Sequence, residues 1–282
     1  MAAITITTQS PLSARLTDRT RSFGAVLRSE WTKLRSIRST YWTLLAAVVI
    51  TVGMSALLSA IYVNQYPTMS ASDRAFFDPT QFSLIGVFLA QFAIGVLGVL
   101  TITGEYSTGA IRSTLAAVPQ RRTVLAAKAT VFTGVTLVVG LVSCFAAFFI
   151  GQAILSTQGI QAQLGDPGVL RAVAGSGLYL AVLGLFALGV GTLLRRSAGA
   201  ISALFGVVLV LPVLVQTLPS SWTDAIAKFL PSNAGEAIVH TVQAGPHQVG
   251  PMLSPLVGMG VFILYAAVAL VFAGFALHRR DA

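Results

Sequence analysis

Residues 172–194 read AVAGSGLYLAVLGLFALGVGTLL, a run that contains no Asp, Glu, Lys or Arg. A helix needs about 20 apolar residues to cross a hydrocarbon layer of about 30 Å, because each residue adds about 1.5 Å. The run does not alternate apolar and polar positions, as a strand of a membrane barrel would. The stretch therefore predicts a membrane-spanning helix.

Further runs of this kind occur along the chain. The 282 residues are 55% hydrophobic and only 10% charged, whereas ordinary soluble domains have roughly 25% charged residues. The composition therefore predicts an all-α, polytopic membrane protein with a transmembrane domain over 22–282. The apolar centres of the runs place six spans near 41–63, 82–103, 129–151, 172–194, 198–218 and 255–277.

The basic residues predict the orientation of the spans. The net charge is +9, and 15 of the 18 Lys and Arg residues fall on one side if the spans alternate in direction. Because cytoplasmic loops carry an excess of Lys and Arg, we expect both termini in the cytoplasm and the chain in the cell membrane. The basic character is then explained by topology and by attraction to the anionic inner leaflet of the lipid bilayer, and nucleic acid is only a remote alternative.

The first residues and the single cysteine carry little functional signal. Residues 1–21 are polar and lack the apolar core of a secretory signal, so we expect a disordered cytoplasmic tail and no cleaved leader. Cys144 lies inside the third predicted span and has no cysteine with which to form an intrachain disulfide. We expect it to be an inert buried thiol.

A segment with helical periodicity precedes the first span. Within 22–39, Val26, Trp31 and Leu34 belong to one apolar arc at 100° per residue, and Arg35 lies opposite. This pattern is typical of an amphipathic helix that lies in the membrane interface. The alternative is a charged flank that only anchors the first span.

Glu30 falls in the middle of that apolar arc. A carboxylate in such a position is costly unless it is paired. Its partner could be Lys33 or Arg38 on the same helix, or Arg112 from the next cytoplasmic loop. The alternative is that Glu30 reaches water along the helix edge.

The longest loop on the predicted outer side covers 219–250. Two apolar-periodic stretches, 222–230 and 234–242, are separated by Pro231. They predict two short helices in a re-entrant or interfacial hairpin, and a solvated loop is the alternative.

The segment after the second span, GEYSTGAIRSTLAAVPQRRTVLAAK at 104–128, begins with half of a phosphate-binding motif. Ala110 and Ile111 follow Gly109, where a phosphate loop requires Lys and then Ser or Thr, and no strand precedes the motif. The three histidines and the one cysteine have no metal-ligand spacing. We therefore expect no catalytic site, no metal and no cofactor.

The same segment predicts a short helix over 109–117. Ile111 and Leu115 lie one turn apart on one face, Arg112 lies beside them, and Pro119 ends the helix. Such a helix between two spans could be moved by a soluble partner. The alternative is a basic loop that meets lipid headgroups.

Two stretches resemble one family. LRSEWTKLRSIRSTYWTLL, at 27–45, and the segment at 104–128 resemble the corresponding segments of ABC-2 type permeases, especially actinobacterial ones. The Glu-Tyr-x-x-Gly-x-Ile-Arg stretch at 105–112 is the more specific of the two. Six spans, inward termini and a long last outer loop agree with the resemblance over the whole chain.

The resemblance implies the permease subunit of an ATP-driven ABC exporter. ATP would be bound and hydrolysed by a separate nucleotide-binding subunit, so the permease itself would not be an enzyme. A second permease, either an identical copy or a paralogue, would complete the pathway. The uncharged spans suit an amphipathic, drug-like or lipid-like substrate.

The resemblance also implies site residues. Residues 105–122 match the coupling helix of the family, 22–39 its interfacial helix, and 219–250 its outer re-entrant hairpin. The residues expected to contact the ATPase are Glu105, Ile111, Arg112, Leu115, Arg121 and Arg122. Those expected to act in the interfacial helix are Glu30, Trp31 and Arg35.

Two other classes of function stay open at this stage. One is a six-helix membrane sensor or regulatory protein that works without an ATPase. The other is a secondary carrier, although the lack of ionisable residues within the spans argues against ion coupling.

Overall fold

The structure of the protein, a computed structural model, describes residues 11–71, 74, 77–241 and 252–280, with the side chains of 11–22 and 280 left aside. Within these residues the regular elements are helices, with no strand. Six helical stretches are long and apolar enough to cross a membrane, which confirms the predicted all-α, polytopic class. In chain order the principal helices are α1 (Pro11–Ser36), α2 (Arg38–Gln65), α3 (Pro79–Leu84), α4 (Gly86–Ser107), α5 (Ala110–Ala117), α6 (Arg121–Leu155), α7 (Val169–Leu194), α8 (Ser197–Phe205), α9 (Leu211–Gln216), α10 (Ser220–Ile226), α11 (Pro231–Glu236) and α12 (Pro255–Arg280).

The six spans coincide with the six predicted apolar runs. They are formed by α2, by α3 with α4, by α6, by α7, by α8 with α9, and by α12. Most of these helices extend beyond the apolar centres. The longest, α6, begins at Arg121, eight positions before the predicted start at 129.

The N-terminal helix differs from its predicted bounds. Helix α1 begins at Pro11, so residues 11–21, which the sequence assigned to a disordered tail, have helical backbone. Proline suits the first position of a helix because its fixed φ is already helical and its missing N–H would have no partner there. Residues 1–10 of the predicted tail lie outside the described residues.

Helix α7 is the central helix of the bundle. In its most apolar window 72% of the residues are buried, compared with 22% in α2. It packs against α4, α6 and α12. The stretch that first predicted a span is therefore also the core of the domain.

Small residues let the central helices approach closely. A Cβ on Gly98 of α4 would lie 2.5 Å from the carbonyl oxygen of Gly184 on α7, and one on Gly177 would lie 2.8 Å from the backbone nitrogen of Leu141 on α6. Ser176 donates a hydrogen bond to the carbonyl oxygen of Ala172 within the same helix. The glycines of α7 thus serve helix packing, as in other membrane bundles.

Two short helices, α10 and α11, lie between the fifth and sixth spans. A 3₁₀ turn at Ala227–Phe229 follows α10, and Pro231 is the first residue of α11. The amide of Asn233 donates a hydrogen bond to the carbonyl oxygen of Ala227 across the break. Two short helices are present as predicted, but their bounds differ: the second begins at Pro231 and ends at Glu236, not over 234–242. Residues 242–250 of that segment lie outside the described residues.

Candidate functional site at the junction of α1, α4, α5 and α6

Four charged side chains meet where the second span ends and the third begins. Lys128 of α6 lies 2.5 Å from a carboxylate oxygen of Glu30 on α1, and 2.7 Å from a carboxylate oxygen of Glu105 on α4. Lys33 of α1 lies 2.7 Å from Glu30 and 3.2 Å from Glu105. We call Glu30, Lys33, Glu105 and Lys128 the four-charge cluster.

The two halves of the cluster differ in exposure. Glu30 and Lys128 are each 3% exposed, while a third of the Lys33 side chain faces outward. Isolated buried charges are costly, but two carboxylates and two ammonium groups within hydrogen-bond distance offset much of that cost. The cluster is thus a neutral, largely buried junction.

Lys33 shows how the cluster holds its charge. Burial lowers the pKa of Lys33, but the hydrogen bond to Glu30 and the charge of Glu105 outweigh that effect and raise the pKa above its ordinary value. Lys33 therefore stays an ammonium ion at neutral pH. In that form it has three N–H donors.

All three donors of Lys33 are used. The first reaches Glu30, the second reaches Glu105, and the third donates to the Thr114 hydroxyl of α5 at 3.0 Å. One side chain of α1 therefore joins the end of the second span to the short helix that follows it. Through Glu30 and Lys128 the same network reaches the third span.

Helix α5 lies where the sequence placed a short helix. Gly109, with φ of 73°, turns the chain out of α4, and glycine adopts this left-handed conformation without steric cost. The helix covers Ala110–Ala117, one residue shorter than the predicted 109–117. Arg112 lies on its exposed face.

The apolar stripe of α5 does not face outward. Ile111 is only 7% exposed, so its side chain packs against this chain itself. Leu115 is half-buried and therefore only partly accessible to a partner. The sequence assigned them to the surface that contacts an ATPase, and this orientation needs correction for Ile111. An amphipathic helix has one apolar face, and in α5 that face packs toward the protein's own interior, so little of it is available to a partner. The exposed positions of α5 are Ala110, Arg112, Ser113, Ala116 and Ala117.

Arg121 and Arg122 begin α6 and both contact the last span. Arg121 donates a hydrogen bond of 2.7 Å to the carbonyl oxygen of Leu277. The guanidinium of Arg122 lies 5.6 Å from the ring centre of Phe275, a cation–π distance. These two residues therefore hold the C-terminal end of α12 beside the site.

The face of α1 that packs against the protein contains Val26 and Glu30 but not Trp31. Val26 and Glu30 are buried, whereas Trp31 is 49% exposed and Arg35 is also exposed. Trp31 was predicted on the same apolar arc as Val26. Its half-exposed ring is instead outside the face of α1 that packs against the protein.

The predicted partners of Glu30 are corrected in part. The pairing with Lys33 is confirmed, and burial of the carboxylate excludes its predicted escape to water. Arg38 and Arg112 form no ion pair with Glu30. Sequence reasoning missed Lys128, although it is the one charged residue between Arg122 and the apolar run of the third span. Antiparallel spans put Glu105 and Lys128 at the same level of the bundle, which is the signal that could have found the pair.

The fold and the cluster together define the class of protein. It is a polytopic α-helical membrane protein in which ion pairs join α1 to the ends of two spans. A hydrogen bond from Lys33 to Thr114 attaches the short helix between those spans to the same network. A sequence model described as ABC-2 family transporter protein matches residues 26–213. The chain belongs to this family. No curated protein matches the chain.

The family match covers every residue of the four-charge cluster and helix α5, and it ends in the fifth span. The protein is accordingly a membrane permease of an ABC transporter, a transport component that is not itself catalytic.

Proposed function

We propose that this permease couples ATP hydrolysis by a separate nucleotide-binding subunit to export, and that the subunit docks on the exposed face of α5. Arg112, Ser113 and Ala116 lie on that face. The small side chains around one arginine would let this face of α5 fit into a groove of the partner. The arginine could then form a charge-assisted hydrogen bond with the partner. ATP would be bound by the partner, and the permease needs no cofactor of its own.

The observation that carries the proposal is the hydrogen-bonded path from α5 into the spans. A displacement of α5 pulls on Lys33 through Thr114, and Lys33 is bonded to both carboxylates of the cluster. Glu105 and Glu30 in turn hold Lys128 of the third span. A push on one short helix would therefore reach α1, α4 and α6 together.

Both termini and α5 would face the cytoplasm, since 15 of 18 basic residues fall on that side. α1 would lie in the inner interface with Trp31 in lipid. A second permease, identical or paralogous, would complete the pathway for an amphipathic, drug-like or lipid-like substrate.

The docking surface is tested with a double variant, Arg112→Glu with Ala116→Asp. Both positions are exposed, so the permease should stay folded. The two new carboxylates should prevent α5 from fitting into the groove of the partner. Loss of a central contact of this kind lowers the binding free energy by about 2 kcal/mol or more, roughly thirtyfold in affinity. The assay uses a nucleotide-binding subunit that the wild-type permease retains when the two are co-expressed and purified in detergent. The variant should no longer retain that subunit.

Arg28→Glu is the matched control, because it reverses an exposed charge on α1 rather than on α5. It should retain the ATPase. Retention by the α5 double variant, or binding of labelled ATP by the purified permease alone, would contradict the proposed coupling.

A further inference from the structure

A cavity of about 400 Å³ lies at the end of the bundle opposite to the four-charge cluster. It is lined by the start of the second span, by the central helix α7 and by the segment from the end of α11 to His240. Its apolar wall consists of Phe82, Leu84, Ile85, Val87, Phe88 and Val239. Its polar lining consists of Gln81, Tyr179, Glu236 and His240.

Three of the four polar groups are already engaged within the protein. The amide of Gln81 and the ring nitrogen Nδ1 of His240 are 2.8 Å apart. The hydroxyl of Tyr179 donates a hydrogen bond of 2.6 Å to the amide oxygen of Gln91. These contacts make the wall of the cavity a built structure rather than a loose gap between helices.

Glu236 is different. Among the residues that the structure describes, none forms a hydrogen bond or an ion pair with its carboxyl group. Burial raises the pKa of Glu236 to about 7. The carboxyl group is therefore divided between its neutral and anionic forms at neutral pH, and a positive charge beside it would stabilise the anion.

Within the described part of the chain, the charged groups near Glu236 provide no counter-ion for it. Burial lowers the pKa of His240, against a weaker opposite effect of Asp78, so the imidazole is neutral at pH 7. Arg171 donates to the backbone oxygen of His240, and Asp78 accepts hydrogen bonds from the first turn of α3 and from Thr241. As far as the described residues show, the cavity therefore presents one carboxylate that lacks a counter-ion, within aromatic and aliphatic walls.

We propose that this cavity binds a lipophilic organic cation, with its apolar body between Phe82, Phe88 and Tyr179 and its positive group against Glu236. Ligand sites are mostly apolar with a few polar groups that fix orientation, and aromatic rings attract cations as well as apolar surface. An anion would be repelled by Glu236, and a sugar would find too few hydrogen-bond partners. As a substrate class this deepens the proposed function and rests on it, although binding itself needs no ATPase.

The test measures binding of tetraphenylphosphonium to the purified full-length permease in nanodiscs of zwitterionic lipid, with empty nanodiscs as background. Glu236→Gln keeps the size of the side chain but removes its charge, and it should weaken binding at least tenfold. Asp224→Asn removes an exposed carboxylate of α10 and should leave the affinity unchanged. Triphenylphosphine oxide, an uncharged analogue, should bind wild type and Glu236→Gln equally, which also shows that the variant is folded.

The pH dependence gives a second readout. A cation binds the anionic form of Glu236, so the affinity of wild type should rise as the pH increases through about 7. The affinity of Glu236→Gln should not change over the same range. Equal binding of the phosphonium by wild type and Glu236→Gln, or a pH profile that the variant shares, would overturn the inference. If the wild-type permease retained the ATPase but bound no phosphonium, this site alone would be refuted. If the wild type failed to retain the ATPase, the proposed coupling would be refuted instead.

Discussion

At the scale of single residues, the site depends on how four charges share their partners. Lys128 is nearly enclosed and contacts both carboxylates, while Lys33 contacts both from the surface side and also holds α5. The second oxygen of Glu105 has no hydrogen-bond partner among the described residues. The two lysines are therefore not equivalent, and Lys128 carries the buried half of the network.

Removing Lys128 alone should destabilise the protein strongly. Lys128→Met leaves Glu30 buried with Lys33 as its one remaining cation, and breaking a buried ion pair typically costs about 3–5 kcal/mol. Thermal unfolding in detergent would show a lower midpoint. The double variant Glu30→Gln with Lys128→Met should regain much of the lost stability, because no unpaired buried charge remains. Additive losses in the double variant would mean that the two side chains do not form a buried pair.

At the scale of helices, glycine spacing decides how closely α4 and α7 approach. A Cβ on Gly98 would meet the carbonyl oxygen of Gly184 at 2.5 Å and the Cβ of Ala187 at 2.9 Å. A backbone carbonyl cannot move aside as the end of a flexible side chain can. The contact between the second span and the central helix therefore requires glycine at 98.

Gly98→Ala and Gly104→Ala form a matched pair on one helix. Gly98→Ala should destabilise the permease by about 1–3 kcal/mol, a usual cost of overpacking. No atom lies within 4 Å of a Cβ placed on Gly104, so alanine there should be neutral or stabilise α4 by about 0.5–1 kcal/mol. Unfolding midpoints in detergent measure both changes. Equal midpoints would show that the helices are free to separate at Gly98.

At the scale of the whole molecule, the proposed orientation places the four-charge cluster in the cytoplasm and the cavity of Glu236 near the opposite surface. Thr157 and Gln120 are exposed at the two ends of α6, with a spanning helix between them. Labels attached at these two positions would therefore show which end of α6 lies on which side of the membrane.

Single cysteines at these positions test the topology in a Cys144→Ala background. An impermeant thiol reagent added to intact cells should label Thr157→Cys and leave Gln120→Cys unlabelled until the cells are lysed. The expected result follows from the excess of basic residues on the Gln120 side. Labelling of Gln120→Cys alone in intact cells would invert the assignment.

The spans were predictable from the sequence because each depends on a local run of apolar residues. The positions of 172–194 and 255–277 needed no knowledge of their neighbours. The pairing of Glu30 with Lys128 was not predictable in the same way, because it depends on the level at which separate helices meet. The inward orientation of Ile111 was missed for a related reason, since an apolar stripe does not say whether it faces its own chain or a partner.

The ion pair between Glu30 and Lys128 also imposes an order on biosynthesis. The two residues are 98 positions apart, and at about 5–20 residues per second the ribosome needs roughly 5–20 s to proceed from one to the other. During that interval Glu30 can use Lys33 but not Lys128, because the third span does not yet exist. Helix α1 is translated before the spans, yet it reaches its final attachment only after two complete spans and the start of a third have followed it.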